Sequence, residues 1–276
     1  MPSFAPSLDG ARIAYETHGT GDPALVLVHG WSCDRSYWDA QIPRFAADTA
    51  VLTLDLAGHG DSDLRREDWT MQAFGADVVA VIEMAVLDDV ILVGHSMGVD
   101  VILEAARDLR GCVRGLVWVD QYSQLSEFMS EARVQERLAP FRANFPETTR
   151  TFVRSMFAAS SDPALIERIC QDMSSAPPPV ALAALEATWS HAHVVPALLS
   201  EINIPVIAIN ARAPSTDPES MNTHGVEVIV MPGVGHFPML ERPEEFNACL
   251  AQAIQRINVG PQCRLTPLYG LPRKRK

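Results

Sequence analysis

Lysine is missing from this chain until its last three residues: Lys274 and Lys276 are the only two. Arginine therefore carries nearly all of the basic charge, and acids outnumber bases enough to give a net charge of -12 and a pI near 5.1. Such a surface repels polyanions, which argues against nucleic acid or an anionic membrane as partner. No apolar run approaches the roughly 18 residues that a membrane span requires. Cysteine is sparse as well. Cys33, Cys112, Cys170, Cys249 and Cys263 are odd in number and scattered, without Cys-x-x-Cys spacing. That pattern argues against a disulfide framework or a thiolate metal site, and reads as reduced thiols in a cytoplasmic protein. The start, Met1-Pro2-Ser3-Phe4-Ala5, has no charged segment leading into an apolar one, so no secretory leader is expected. Where the late lysines occur the composition also changes. Residues 260–276 are basic, rich in proline and glycine and aperiodic, and are expected to form a tail outside the fold.

What the chain does have is apolar residues, 47% of its 276 positions, enough to bury one large core. Short apolar runs alternate with helical patterns. Arg12–Glu16 alternates with period two and reads as an early edge strand. Ala24–Val28, Val51–Leu54, Val90–Val93, Leu116–Val119, Val206–Ile209 and Val226–Val230 are strand-like runs, and continuous apolar runs suit strands buried on both faces. Thr70–Met84, with Thr70 as cap, Met97–Leu109 and Pro243–Ile257 read as helices. This order predicts an α/β fold with a mostly parallel sheet and helices on both faces. The alternation stops between about 123 and 200, a helical stretch with many large apolar residues and a Pro177-Pro178-Pro179 breaker. It reads as an insertion over the sheet edge, with 1–122 and 201–259 as the core.

The most informative stretch is Val90 to Gly98, in which an apolar strand ends in Gly94-His95-Ser96-Met97-Gly98 and a helix begins at once. Gly-x-Ser-x-Gly in that setting lifts a serine onto a strained turn, and the glycines keep side chains away from the flanking backbone. A serine hydroxyl needs a base in contact to act as nucleophile. His236, in Gly235-His236-Phe237-Pro238 just past the last strand, is the expected base. Loops at the carboxyl ends of parallel strands converge on one crevice, which brings such a histidine to Ser96.

These motifs, with His29-Gly30-Trp31 after the third strand and Asp55-Leu56-Ala57-Gly58-His59-Gly60-Asp61-Ser62 after the fourth, resemble the α/β-hydrolase fold of the serine esterase and haloperoxidase-like type. The resemblance covers roughly residues 10–258. It implies about eight strands, a helical cap inserted after the sixth and a Ser–acid–His triad. Serine at the elbow argues against epoxide hydrolase or haloalkane dehalogenase chemistry, for which these relatives use aspartate. The resemblance also implies an oxyanion hole built from the amides of Met97 and Trp31. The acid is open between two positions. Relatives usually carry it after the seventh strand, where Asp217 is the first acid reached, but Asp217-Pro218-Glu219 is also a strong helix start. Asp120, directly after the sixth strand, is preferred.

Trp31, His95, Phe128, Phe157, Trp189 and Phe237 are expected to line the substrate pocket. Asp55 and His59 read as turn residues, and Asp100 as a helix cap or ion-pair residue without chemistry. His191 and His193 have no carboxylate or cysteine cluster beside them in sequence, so no metal and no cofactor is expected. The expected activity is hydrolysis of a small or medium, apolar ester or lactone through an acyl-enzyme, with a small-molecule substrate as partner. Two rivals share the fold: a cofactor-independent dioxygenase of quinolone-like heterocycles, and a ligand-binding receptor. Oligomeric state is not legible.

Overall fold

Ala24–Val28 forms β3 with every residue buried, and its parallel neighbours Val51–Leu54 (β4) and Val90–His95 (β5) are equally buried. The computed structural model describes residues 1–125, 128–211 and 216–259. The tail expected at 260–276 lies outside them. Val113–Val119 (β6), Val206–Ala211 (β7) and Val226–Met231 (β8) extend the sheet in parallel. Arg12–His18 (β2) and Ser3–Pro6 (β1) join antiparallel on the other side, giving the order β1-β2-β4-β3-β5-β6-β7-β8. The chain is thus an α/β protein with an eight-stranded, mostly parallel sheet. The Arg12 strand is not the edge. β1 pairs outside it, and that strand of four residues, mostly exposed, carries too little alternation to be read from sequence.

Helices bury the apolar faces of these strands. Met71–Met84 (α2) follows the short Ile42–Phe45 (α1) and is capped by Thr70, whose Oγ1 accepts from Ala73 N–H. Met97–Asp108 (α3) packs on β3, β5 and β6 and against α2. Pro243–Val259 (α11) packs on β6, β7 and β8. Between β6 and β7 run Glu131–Ala143 (α4), Phe145–Ser155 (α5), Pro163–Ser174 (α6), Pro178–His191 (α7) and Val195–Ile202 (α8). The triple proline does not interrupt a helix. Pro177 is the N-cap of α7 and the next two prolines occupy its first turn, where no intrahelical donor is needed. α8 runs past the expected boundary at 200 and packs on α3. Pro218–Thr223 (α9) and Pro238–Glu241 (α10) complete the chain. No helix among the described residues is long and apolar enough to cross a membrane.

Candidate active site

Ser96 stands between β5 and α3 with φ 51° and ψ -123°, a conformation an L-residue adopts only under constraint. The constraint is packing. A Cβ on Gly94 would lie 2.3 Å from the Gly98 carbonyl oxygen, and one on Gly98 would lie 2.6 Å from that of Val28. Only glycine at both positions lets the helix start so close to the strand, and Ser96 N–H is fixed on the Val119 carbonyl at 2.9 Å. A second strained residue ends the neighbouring strand. Asp120 follows β6 with φ 50°, which aspartate tolerates better than most side chains. Two strained residues at the carboxyl ends of adjacent central strands mark the functional edge of the sheet.

Asp120 Oδ1 accepts from Ala211 N–H at 2.7 Å, and Oδ2 lies 2.8 Å from His236 Nδ1. A carboxylate only accepts, so Nδ1 carries the proton and Nε2 is left basic. The candidate acid at Asp217 is elsewhere. Its Oδ1 accepts from Glu219 and Ser220 N–H at 3.1 Å and caps α9, as its Asp-Pro-Glu context allowed.

The loop carrying His236 is held from three sides. His236 N–H donates to the Met156 carbonyl at 2.9 Å, and His95 Nε2–H donates to the His236 carbonyl at 2.7 Å. Burial pushes His95 well below the usual histidine range, so it stays a neutral donor. The Glu241 carboxylate accepts from Gly235 N–H at 3.0 Å, from Phe237 N–H at 3.2 Å and from the Ser161 hydroxyl. Sequence reasoning missed Glu241. Its signal, an acid five residues after the histidine, is not distinctive. Glu241→Gln, which puts an amide N–H against those backbone donors, is expected to lower kcat roughly tenfold to a hundredfold with little change in KM. Steady-state kinetics beside an unchanged melting curve checks this.

Opposite the elbow, a Cβ on Gly30 would lie 3.2 Å from Ser96 Cβ, so Gly30 brings bare backbone against the serine. His29 Nε2 accepts from Leu56 N–H at 3.0 Å, which leaves Nδ1–H to donate to the Gly30 carbonyl at 2.8 Å. Burial holds His29 down at about 4, consistent with this neutral tautomer. Since the peptide is planar and trans, pinning the Gly30 carbonyl aims Trp31 N–H the opposite way.

Ser96, His236, Trp31, Met97, His95, Phe237 and Trp189 line one cavity of about 140 Å³. The remaining wall is Cys33, Gln121, Phe152, Met156, Met173, Leu185 and Thr188, none of which sequence singled out for the pocket. Two expected pocket residues are not there. Phe128 is exposed at 39%, and Phe157 stacks on Phe237 with ring centroids 5.2 Å apart. Cys33 is no rival nucleophile, because burial pushes its thiol well up. Trp31 Nε1–H donates to the Ala181 carbonyl of α7 at 2.7 Å, and its ring meets Phe141, Phe145 and Phe152 edge-on.

Asp55 accepts from Arg35 and Asp61 N–H and pairs with the Arg35 guanidinium; His59 Nδ1–H donates to the Ala57 carbonyl. Both serve their turn, as expected. Of its two expected roles Asp100 takes the ion pair. It and Glu104 are fully buried on α3 and hold His191 of α7 from both sides, at 2.9 Å on Nδ1 and 2.7 Å on Nε2. Tyr122 and Gln121, just beyond Asp120, also donate to Asp100. His193 stays at the surface with Nδ1 on the Ser190 carbonyl.

The sequence model of the alpha/beta hydrolase family matches residues 25–249, and the chain belongs to that family. Among curated proteins it is similar to a pimeloyl-[acyl-carrier protein] methyl ester esterase of Neisseria meningitidis, 26% identical over 90% of this chain and 81% of that protein. Among solved structures it is similar to a thermophilic esterase from Thermogutta terrifontis, with 24% identity, TM-score 0.80 and coverage of 93% and 99% of the two chains. A second structure, of an N-acyl homoserine lactone degrading enzyme, has 25% identity, TM-score 0.78 and coverage of 91% and 99%. Family and fold together define the chain as a hydrolase.

Proposed function

We propose that this hydrolase is a serine esterase that cleaves a small or medium, apolar ester or lactone through an acyl-enzyme. Action on an ester bond is supported by the methyl ester esterase and lactone-degrading relatives. The observation that carries the mechanism is the Asp120–His236 hydrogen bond of 2.8 Å on the cavity that also exposes strained Ser96. His236 Nε2 takes the Ser96 proton as Oγ attacks the carbonyl carbon. The Trp31 and Met97 amides receive the oxyanion, already oriented before charge develops. His236 gives that proton to the leaving alcohol as the acyl-enzyme forms, then takes one from a water whose oxygen attacks the acyl carbon, and passes it to Ser96 Oγ as the acyl–Oγ bond breaks and the acid leaves. Asp120 holds the imidazole tautomer and stabilises the imidazolium. Apart from the substrate and that water, the route runs on side chains and amides of this chain. The helical segment from α4 to α8 acts as cap, and the apolar wall of Phe152, Met156, Met173 and Leu185 supports an apolar group beside the carbonyl.

A fluorophosphonate followed by peptide mass mapping tests the proposal. Wild type is expected to be labelled on Ser96. Asp120→Asn, which favours the wrong tautomer, is expected to slow labelling by roughly a thousandfold or more, and Asp217→Asn to label like wild type. Failure of folded wild type to label would sink the esterase reading in favour of the rivals, base chemistry by the His236–Asp120 pair or ligand binding alone.

A further inference from the structure

At about 140 Å³ the cavity over Ser96 is close to the size of an engineered void of about 150 Å³ that accepts benzene, and ligand sites usually span about 300–1,000 Å³. A substrate of ordinary size must therefore extend beyond it. One stretch of its wall has a second cavity behind it. Phe152 and Trp189, crossed at 90° with ring centroids 6.3 Å apart, line the Ser96 cavity on one side and an outer cleft of about 610 Å³ on the other. The cleft lies between α4, α5 and α7, and Phe141 is in its floor, edge-on to both rings.

The outer side of this aromatic wall carries charge. The Arg137 guanidinium sits over the Trp189 ring, 4.3 Å from its centroid. Arg137 Nη1 has Met129 Sδ at 3.3 Å, and no carboxylate among the described residues pairs with this arginine. The nearby cap arginines are engaged otherwise: Arg133 with Glu136, Arg142 with Glu186, and Arg150 and Arg154 with Glu167. Partial burial and the neighbouring Arg133 hold Arg137 below the ordinary arginine value. It remains charged. Glu147, in the first turn of α5, is the single carboxylate among the described residues that line the cleft. One cation against one anion suits a monoanionic guest better than a dianion.

We infer that the outer cleft is the distal subsite of one binding site, and that the enzyme takes extended esters whose far end is a carboxylate held by Arg137. The reacting ester fills the cavity over Ser96, an apolar linker passes between Phe152 and Trp189, and the carboxylate meets the guanidinium, whose paired N–H groups match its geometry. The inference rests on the esterase reading, and the test separates the two.

Hydrolysis is measured for ethyl acetate and for two matched ladders of chain length. In one ladder the free carboxylate ends the acyl chain of a methyl ester, and in the other it ends the alcohol of an acetate. Each member is compared with its alkyl counterpart lacking the carboxylate. In one ladder, beyond a threshold length, the acidic ester is expected to exceed its neutral partner in kcat/KM by roughly tenfold to a hundredfold, mainly through KM. Arg137→Gln removes that preference and Arg137→Glu inverts it, while Arg137→Lys keeps part of it. Each variant's ethyl acetate turnover serves as its reference, because that substrate has no carboxylate to meet Arg137, and any change passed on through Trp189 then cancels. Acidic and neutral esters hydrolysed alike at every length in both ladders, or a preference that survives Arg137→Gln, overturns the subsite. Absence of ethyl acetate hydrolysis by folded wild type, with no labelling of Ser96, overturns the esterase reading instead.

Discussion

Ser96→Ala is expected to abolish ester hydrolysis, lowering kcat by on the order of 10⁴ or more, and to leave the melting temperature within a degree or so of wild type. The two halves of this result have separate causes. Activity is lost because no other side chain in the cavity can replace the hydroxyl: the Cys33 thiol is held protonated by burial, and the remaining wall is largely apolar. Stability is kept because Ser96 Oγ bears no part of the fold. The turn is held by Ser96 N–H on Val119 and by the close approach of Gly94 and Gly98, and alanine retains both. Alanine also retains the strain of φ 51°. Ser96→Gly removes it, and is expected to be as inactive as the alanine variant yet more stable by about 1 kcal/mol, or ~2–4 °C in melting temperature for a domain of this size. A glycine variant that melts with or below alanine would show that the turn stores no strain.

The second large effect concerns His191. Loss of the imidazole leaves Asp100 buried without a cation and Glu104 with Arg107 alone, and His191→Gln is expected to cost about 3–5 kcal/mol. The pH dependence gives the sharper signature. Its hydrogen bonds to Asp100 and Glu104 raise His191 from 6.5 to about 9 against the opposing effect of burial. A raised histidine contributes stability that is complete below its unfolded value and disappears as pH climbs through its folded one. The window runs from about pH 6.5 to 9 and the amplitude is on the order of 3 kcal/mol. The other groups facing this pair are Tyr122 and Gln121 on Asp100, and Gln72 and Arg107 on Glu104. Burial and Asp100 push Tyr122 well up, so it remains a donor across the window. Denaturant melts of wild type and His191→Gln between pH 6 and 10 decide the matter, and parallel curves would refute it. Since α7 also supplies Leu185, Thr188 and Trp189 to the cavity, KM should rise with pH alongside the loss of stability.

The sheet and the Ser96 turn are legible in the sequence because their signals are local. A buried parallel strand announces itself as an unbroken apolar run, and Gly-x-Ser-x-Gly joins strand to helix within five residues. Asp120 and His236 were both found as residues at strand ends, where topology rather than sequence distance brings them together. The pocket wall was much less legible. Phe128, Phe152 and Phe157 look alike in sequence, yet only Phe152 faces Ser96, because the docking of α5 against Trp31 sets which side of the helix turns inward. Glu241 and the Asp100–Glu104–His191 cluster escaped for a related reason. An acid gains such a role from partners tens of residues away, and a buried carboxylate has no local pattern that separates it from a solvated one.

Trp31 joins two parts of the molecule that are usually thought of as exchangeable. Its main chain follows Gly30, which lies against Ser96, while its indole is bonded to a backbone carbonyl of α7 and packed among α4 and α5 aromatics. Specificity segments on this scaffold therefore cannot be transplanted as free modules. A foreign lid grafted at the ends of β6 and β7 would have to present a carbonyl where Ala181 stands and a ring where Phe141 stands, or the graft would lose turnover on every substrate alike. In recombination between homologues, crossovers that keep residue 31 and residues 141–181 from the same parent should be the ones that stay active.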